Sequence, residues 1–215
     1  MAKVNQNFVK LPANYLFVDI AKKVDAFQKE NPDAEVLRLG IGDVTLPLVQ
    51  PVVDAMVAAA REMGDAKTFR GYGPEAGYPF LREAIARNDY AGLPINADEI
   101  IVSDGAKSDT GSIGDIFSID NTVAVCDPVY PVYVDTNVMA GRAGDYVEGK
   151  GFSKILYMPC LEENNFLPQL PQEVPDLIYL CFPNNPSGVS MPKVELQKWV
   201  DYANAHGSVI LYDAA

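Results

Sequence analysis

The residues best suited to chemistry sit where strands should end. Ser208-Val209-Ile210-Leu211-Tyr212-Asp213-Ala214-Ala215 reads as a buried apolar strand that delivers a carboxylate at its carboxyl end. Ligands of open α/β sheets bind outside the carboxyl ends of the strands, so Asp213 is expected to form half of a site. The chain stops just beyond it, and the expectation is that this is the amino-terminal part of a longer enzyme. Ser103-Asp104-Gly105-Ala106-Lys107 follows the apolar run EIIV and opens a helical pattern. Small residues there let backbone N–H groups approach an anion, and the helix dipole adds about half a positive charge. The plainer alternative is a helix start capped by Asp104 or Ser103.

Three more segments lie where a strand should end or a site loop begin: Asp127-Pro128-Val129-Tyr130-Pro131 after TVAVC, Pro183-Asn184-Asn185-Pro186-Ser187-Gly188 after LIYLCF, and Arg70-Gly71-Tyr72-Gly73 between two helical patterns. Taken singly, Tyr130 could be a turn aromatic, Asn185 an Asx-turn residue and Asp213 an interior carboxylate with its own partner. Nucleotide fingerprints fail. GYGPEAG has the wrong third-glycine spacing and follows no strand, GIGDVT lacks the last glycine, and no GxxxxGK[ST] occurs.

The elements that must position these residues alternate. Apolar residues Leu16, Phe17, Ile20, Val24 and Phe27 fall on one helical face between Asn14 and Glu30, and Asn31-Pro32 ends the run. A short strand is predicted over Val36 to Leu39, and helices over Val49 to Met63 and Tyr78 to Tyr90. Beyond these, strands are predicted at Ile100 to Val102, Thr122 to Cys126, Ile155 to Pro159, Leu177 to Cys181 and Val209 to Tyr212. Helices are predicted at Ala106 to Ile116, Tyr133 to Ala140 and Lys193 to Ala205, and Gly141 to Ser153 reads as a polar surface loop. The fold class is α/β, a mostly parallel sheet flanked by helices and preceded by an N-terminal helical arm.

Composition narrows the partners. Seventeen Lys and Arg against 29 Asp and Glu give a net charge of -12 over 215 residues, which disfavours nucleic acid, since a polyanion needs clustered cations. No apolar run approaches the roughly 20 residues that span a bilayer, and the amino terminus has no signal-peptide pattern. A cytoplasmic protein is expected. Cys126, Cys160 and Cys181 are odd in number, far apart along the chain and set in apolar runs, so they read as buried reduced thiols with no metal-ligand spacing. His206, the only histidine, precedes Gly207 at the end of a helical pattern and reads as a cap residue.

Together the segments resemble the class I/II, fold-type I aminotransferases that use pyridoxal 5'-phosphate, which share (P)NNP(T/S)G and a strand ending in YD. Longer stretches narrow the resemblance to the LL-diaminopimelate aminotransferase family of lysine biosynthesis: Asn14-Tyr15-Leu16-Phe17, Leu39-Gly40-Ile41-Gly42-Asp43, Arg70-Gly71-Tyr72-Gly73, Val102 to Asp109 with its SDGAKxD pattern, and Asp127 to Tyr133. That family exchanges an amino group between diaminopimelate/tetrahydrodipicolinate and glutamate/2-oxoglutarate.

The resemblance implies that Tyr130 stacks on the pyridine ring, Asn185 donates to the ring 3-oxygen and Asp213 keeps the ring nitrogen protonated. It further implies that Ala106 and Lys107 hold the phosphate, and that Tyr72 reaches the phosphate of a neighbouring protomer in a homodimer. Tyr15, Gly42, Lys107, Tyr130 and Asn185 are the implied substrate contacts. Residues 1–45 would form an arm with part of a small domain, and 46–215 a cofactor-binding large domain incomplete at its carboxyl end. The Schiff-base lysine of the family is expected beyond residue 215, so this chain alone is expected to be inactive. Val44, Val129 and Ser187 depart from the family pattern, where Thr, Ser and Thr are usual, without removing a needed group. Two alternatives stand beside this reading: another pyridoxal-phosphate aminotransferase or carbon–sulfur lyase, and a non-catalytic short form that binds the cofactor or a partner.

Overall fold

The structure is a computed structural model that describes residues 2–11, 16–37, 44 and 46–214. It divides into two compact units, Met1–Ala13 with Ser103–Ala215, and Asn14–Val102.

The larger unit is built on four parallel strands: β1 (Val123–Asp127), β4 (Ile155–Pro159), β5 (Leu177–Cys181) and β6 (Val209–Asp213), in the order β4-β1-β5-β6. Between β1 and β4 lie α5 (Pro131–Ala140) and a small antiparallel pair, β2 (Tyr146–Val147) with β3 (Gly151–Phe152). The central strands are near-continuous apolar runs because both their faces are covered, as parallel sheets require. One face packs Val123, Val125, Leu177, Tyr179 and Cys181 against Tyr133, Val134 and Val138 of α5. On the other, Ala124, Cys126, Ile178 and Leu180 pack against Trp199 of α6 (Lys193–His206). Thr122 and Asp176 fix the amino ends of β1 and β5, the Thr122 amide and hydroxyl both donating to Asp176 Oδ2 at 2.7 and 2.9 Å.

Before the sheet comes α4 (Ala106–Ile113), continued by a 3-10 turn at Gly114–Ile116. α4 packs on α5, as does a 3-10 turn at Gln6–Lys10. The smaller unit holds α1 (Leu16–Glu30), α2 (Gln50–Gly64) and α3 (Pro79–Asn88), and none of its described residues is buried.

Most predicted elements are present with ends shifted by a residue or two. Ile100 to Val102 is the correction: it forms no strand, and the Val102 amide instead donates to the Ala76 carbonyl at 3.0 Å. Apolar, β-branched residues favour a strand there, but a strand needs a ladder partner. Of the short strand predicted over 36–39, residues 36 and 37 are irregular and the rest lies outside the described residues. The loop predicted over 141–153 contains the β2–β3 pair. The thiols are free and buried, but chain distance misled in one respect. Pairing of β1 with β4 brings Cys126 and Cys160 into hydrogen-bonding contact, which with burial pushes the Cys126 thiol up. His206 ends α6, with Gly207 in the left-handed conformation at φ +74°. Among the described residues no helix is long and apolar enough to cross a membrane.

Candidate functional site

Parallel strands place all their carboxyl ends on one edge, and Asp213 and the Pro183–Gly188 loop stand there. Asp213 is the last residue of β6, in register with Cys181 at the end of β5. Its backbone carbonyl accepts from the Phe182 amide at 3.1 Å, which ties the start of the Pro183–Gly188 loop to the strand carrying the carboxylate.

The two asparagines of that loop divide the work. Asn184 is buried, donates from Nδ2 to Ser187 Oγ at 2.7 Å, and closes the loop through its backbone, its amide donating to Val189 O at 2.8 Å and its carbonyl accepting from Gly188 at 2.7 Å. Asn185 is exposed. One residue shapes the loop and the next stands exposed at its tip.

Tyr130 is the N-cap residue of α5 and half-buried, its ring edge-on to Tyr133 at 5.5 Å. The Tyr133 hydroxyl donates to Asp213 Oδ2 at 2.5 Å, and its ring stacks on Tyr179 at 5.1 Å. Burial, and then the bond to Asp213, push the Tyr133 hydroxyl far above the usual phenol range, so it is a donor and stays one. The sequence reading did not assign Tyr133 a role. Neither period nor motif marks it, because its part comes from contacts with Asp213 and Tyr179, distant in the chain.

The start of α4 is not the plain capped helix. No side chain caps it; Ser103 Oγ accepts from the Gly105 amide at 3.2 Å and donates to Asp109 Oδ2 at 2.7 Å. Gly105, the N-cap residue, has φ +141° and ψ +156°, a region essentially reserved for glycine. A Cβ placed there would meet nothing within 4 Å, so the helix end opens on clear space. The first amides of a helix lack intrahelical acceptors, and Ala106 and Lys107 are the first two residues of this one. The positive charge of Lys107 also reaches α5, where it opposes the upward push of burial on the Asp135 carboxyl.

Ala106, Lys107, Tyr130 and Asp213 thus share one unit with the loop of Asn185. Tyr72 belongs to the smaller unit, fully exposed in a turn whose Arg70 lies over the rings of Tyr78 and Phe80 at 5.3 and 5.6 Å. Tyr15 and Gly42 lie outside the described residues.

The family profile "Aminotransferase class I and II" matches residues 34–215. An LL-diaminopimelate aminotransferase of Lachnospira eligens is 64% identical over all of this chain and 54% of its own length. The enzyme of that name from Agathobacter rectalis is 58% identical, again over 100% of this chain and 54% of its own. The solved L,L-diaminopimelate aminotransferase of Chlamydomonas reinhardtii superposes with a TM-score of 0.91 at 46% identity, covering 100% of this chain and 53% of that one. The chain spans about half the length of the curated relatives it matches.

Proposed function

The chain belongs to the aminotransferase class I and II family, and from that premise we propose that the whole protein transfers an amino group between LL-2,6-diaminopimelate/tetrahydrodipicolinate and glutamate/2-oxoglutarate with pyridoxal 5'-phosphate as cofactor. The observation that carries the reading is the carboxylate of Asp213 at a parallel strand's carboxyl end, held by the Tyr133 hydroxyl at 2.5 Å beside the ring of Tyr130.

The residues fit a flat, phosphate-bearing heteroaromatic ring. The glycine-only conformation at Gly105 leaves open space where an anion could meet the Ala106 and Lys107 amides. Asp213 is suited to hold a proton on the ring nitrogen, Tyr130 to cover a ring face and exclude water, and exposed Asn185 to donate to a ring oxygen. When bound, the cofactor supplies an electron sink for the charge that develops as the substrate loses its alpha proton. A carboxylate that keeps the ring nitrogen protonated deepens that sink. Tyr15, Gly42, Lys107, Tyr130 and Asn185 are assigned to the amino-acid and 2-oxo-acid substrates. Tyr72 is assigned to the phosphate of a partner protomer, and the Schiff-base lysine to a position beyond residue 215. The proposed assembly is a cytoplasmic homodimer, its large domain starting near residue 46.

The test is amino transfer by the whole protein, with 2-oxoglutarate as acceptor and a panel of donors. Glutamate formed from LL-diaminopimelate in preference to aspartate or aromatic amino acids supports the reading. Preference for those other donors, or release of sulfide from a cysteine substrate, assigns the protein to a different branch of the family.

A further inference from the structure

Arg142 lies just after α5, and its side chain is a buried cation, 3% exposed. Among the described residues its four acceptors are neutral oxygens. Nε donates to Ser118 O at 3.1 Å, Nη1 to Asn137 Oδ1 at 3.2 Å, and Nη2 to Phe117 O at 2.9 Å and to Gly114 O. A buried charge is tolerated only where hydrogen bonds replace water. Here Gly114 is the C-cap of α4, where the helix dipole is negative, and Phe117 and Ser118 lie just past the 3-10 turn that continues it. Gly114 completes the fit, since a Cβ there would sit 3.2 Å from Nη1.

The guanidinium therefore grips the far end of the helix whose near end carries Gly105, Ala106 and Lys107. α4 has eight residues, about 12 Å at 1.5 Å per residue. A helix that short and hydrogen-bonded moves as one body, so the grip at its carboxyl end fixes its amino end.

Asn137 connects this grip to the other end of the site. It is fully buried; Nδ2 donates to Tyr133 O at 2.7 Å and meets the Tyr179 hydroxyl at 3.3 Å, while Oδ1 accepts from Arg142. Tyr179 stacks on Tyr133, which donates to Asp213. One contiguous set of bonds and stacked rings thus runs from the carbonyl end of α4 to the Asp213 carboxylate.

We propose that Arg142 and Asn137 are a positioning pair that sets the separation between the anion-binding start of α4 and Asp213. The inference rests on the cofactor reading above. A rigid ligand carrying a phosphate at one end and a ring nitrogen at the other is sensitive to that separation, whereas a ligand without the phosphate is not.

The experiment titrates the whole apo-protein with pyridoxal 5'-phosphate and with pyridoxal, following the change in visible absorbance, for the parent, Arg142→Lys, Asn137→Ser and the double variant. Lysine keeps the charge but cannot reach all four acceptors as a planar fork does. Arg142→Lys is expected to weaken pyridoxal 5'-phosphate binding by about tenfold or more, the scale of a charge-assisted hydrogen bond, with pyridoxal affected less than about twofold. The double variant should be no worse than the weaker single variant, as members of one unit behave. Backbone amides of α4 should exchange hydrogen faster in the apo variants. Should Arg142→Lys not fold, Asn137→Ser carries the same expectation: it leaves the guanidinium its backbone acceptors, so the fold is kept, and cuts the link from Arg142 to Tyr133 and Tyr179.

Equal loss for both ligands, additive effects, or undiminished binding by both single variants overturns the positioning role alone. Failure of the parent to bind pyridoxal 5'-phosphate overturns the cofactor reading and the positioning role with it.

Discussion

Replacing Tyr133 with Phe removes one hydroxyl and leaves the packing in place. The ring keeps its stack on Tyr179 at 5.1 Å and its edge contact with Tyr130 at 5.5 Å, so the loss falls on the 2.5 Å bond to Asp213 Oδ2. A hydrogen bond to a charged acceptor contributes about 1.5–3 kcal/mol. If all of that serves to hold Asp213 ready for a ring nitrogen, affinity for pyridoxal 5'-phosphate falls by about 10- to 150-fold. That range is an upper bound, because the carboxylate can regain part of the bond from water. The assay is equilibrium titration of the whole apo-protein.

A second readout is independent of the cofactor. Burial and the bond to Asp213 raise the Tyr133 pKa in the folded state, while in the unfolded chain it lies at about 10. The folded state therefore keeps a proton that the unfolded state gives up. The stability this contributes is fully present below pH of about 10 and declines as pH rises further, by about 1.4 kcal/mol per pH unit. Tyr133→Phe should remove that one-proton slope from alkaline unfolding. A variant that binds the cofactor as tightly as the parent and unfolds with the same alkaline slope would refute the role given to this hydroxyl.

Gly105→Ala should cost about 1–3 kcal/mol, because φ +141° with ψ +156° admits no other residue without strain. No neighbour lies within 4 Å of the new Cβ. The effect is therefore torsional, and a crystal structure of the variant should show the loop before α4 rebuilt; an unchanged loop at unchanged stability would rule this out. Residues 1–215 expressed alone should give no transamination with any donor, and turnover by that chain would overturn the assignment of the Schiff-base lysine to a later segment.

The sheet was legible because its strands are short apolar runs bracketed by Pro, Gly and Asp. Ile155–Pro159 and Leu177–Cys181 match their predicted spans, and β6 extends its prediction to include Asp213. Ile100 to Val102 has the same local character and fails, because a strand is a property of a pair rather than of a segment. The β2–β3 pair hid inside a Gly-rich stretch whose polarity resembles a loop. Asp213, Tyr130 and the Asn185 loop stood out as candidates because each ends or follows a strand that formed, whereas the start of α4 was marked by an apolar run that formed none. Tyr133, Asn137 and Arg142 did not stand out, since their importance comes from burial against residues distant in the chain, and neither period nor motif encodes that.

The strand order β4-β1-β5-β6 also has a consequence in time. β1 is made first yet lies inside the sheet, so it waits for β4 on one side and β5 on the other. At about 5–20 residues per second, the interval between finishing β1 and finishing β5 is on the order of 3–10 s. For that interval the run Val123-Ala124-Val125-Cys126 is an apolar strand with an unfilled edge on a growing polypeptide. Slower synthesis through residues 128–181 is therefore expected to raise the share of chain lost to aggregation while the stability of the finished sheet is unchanged.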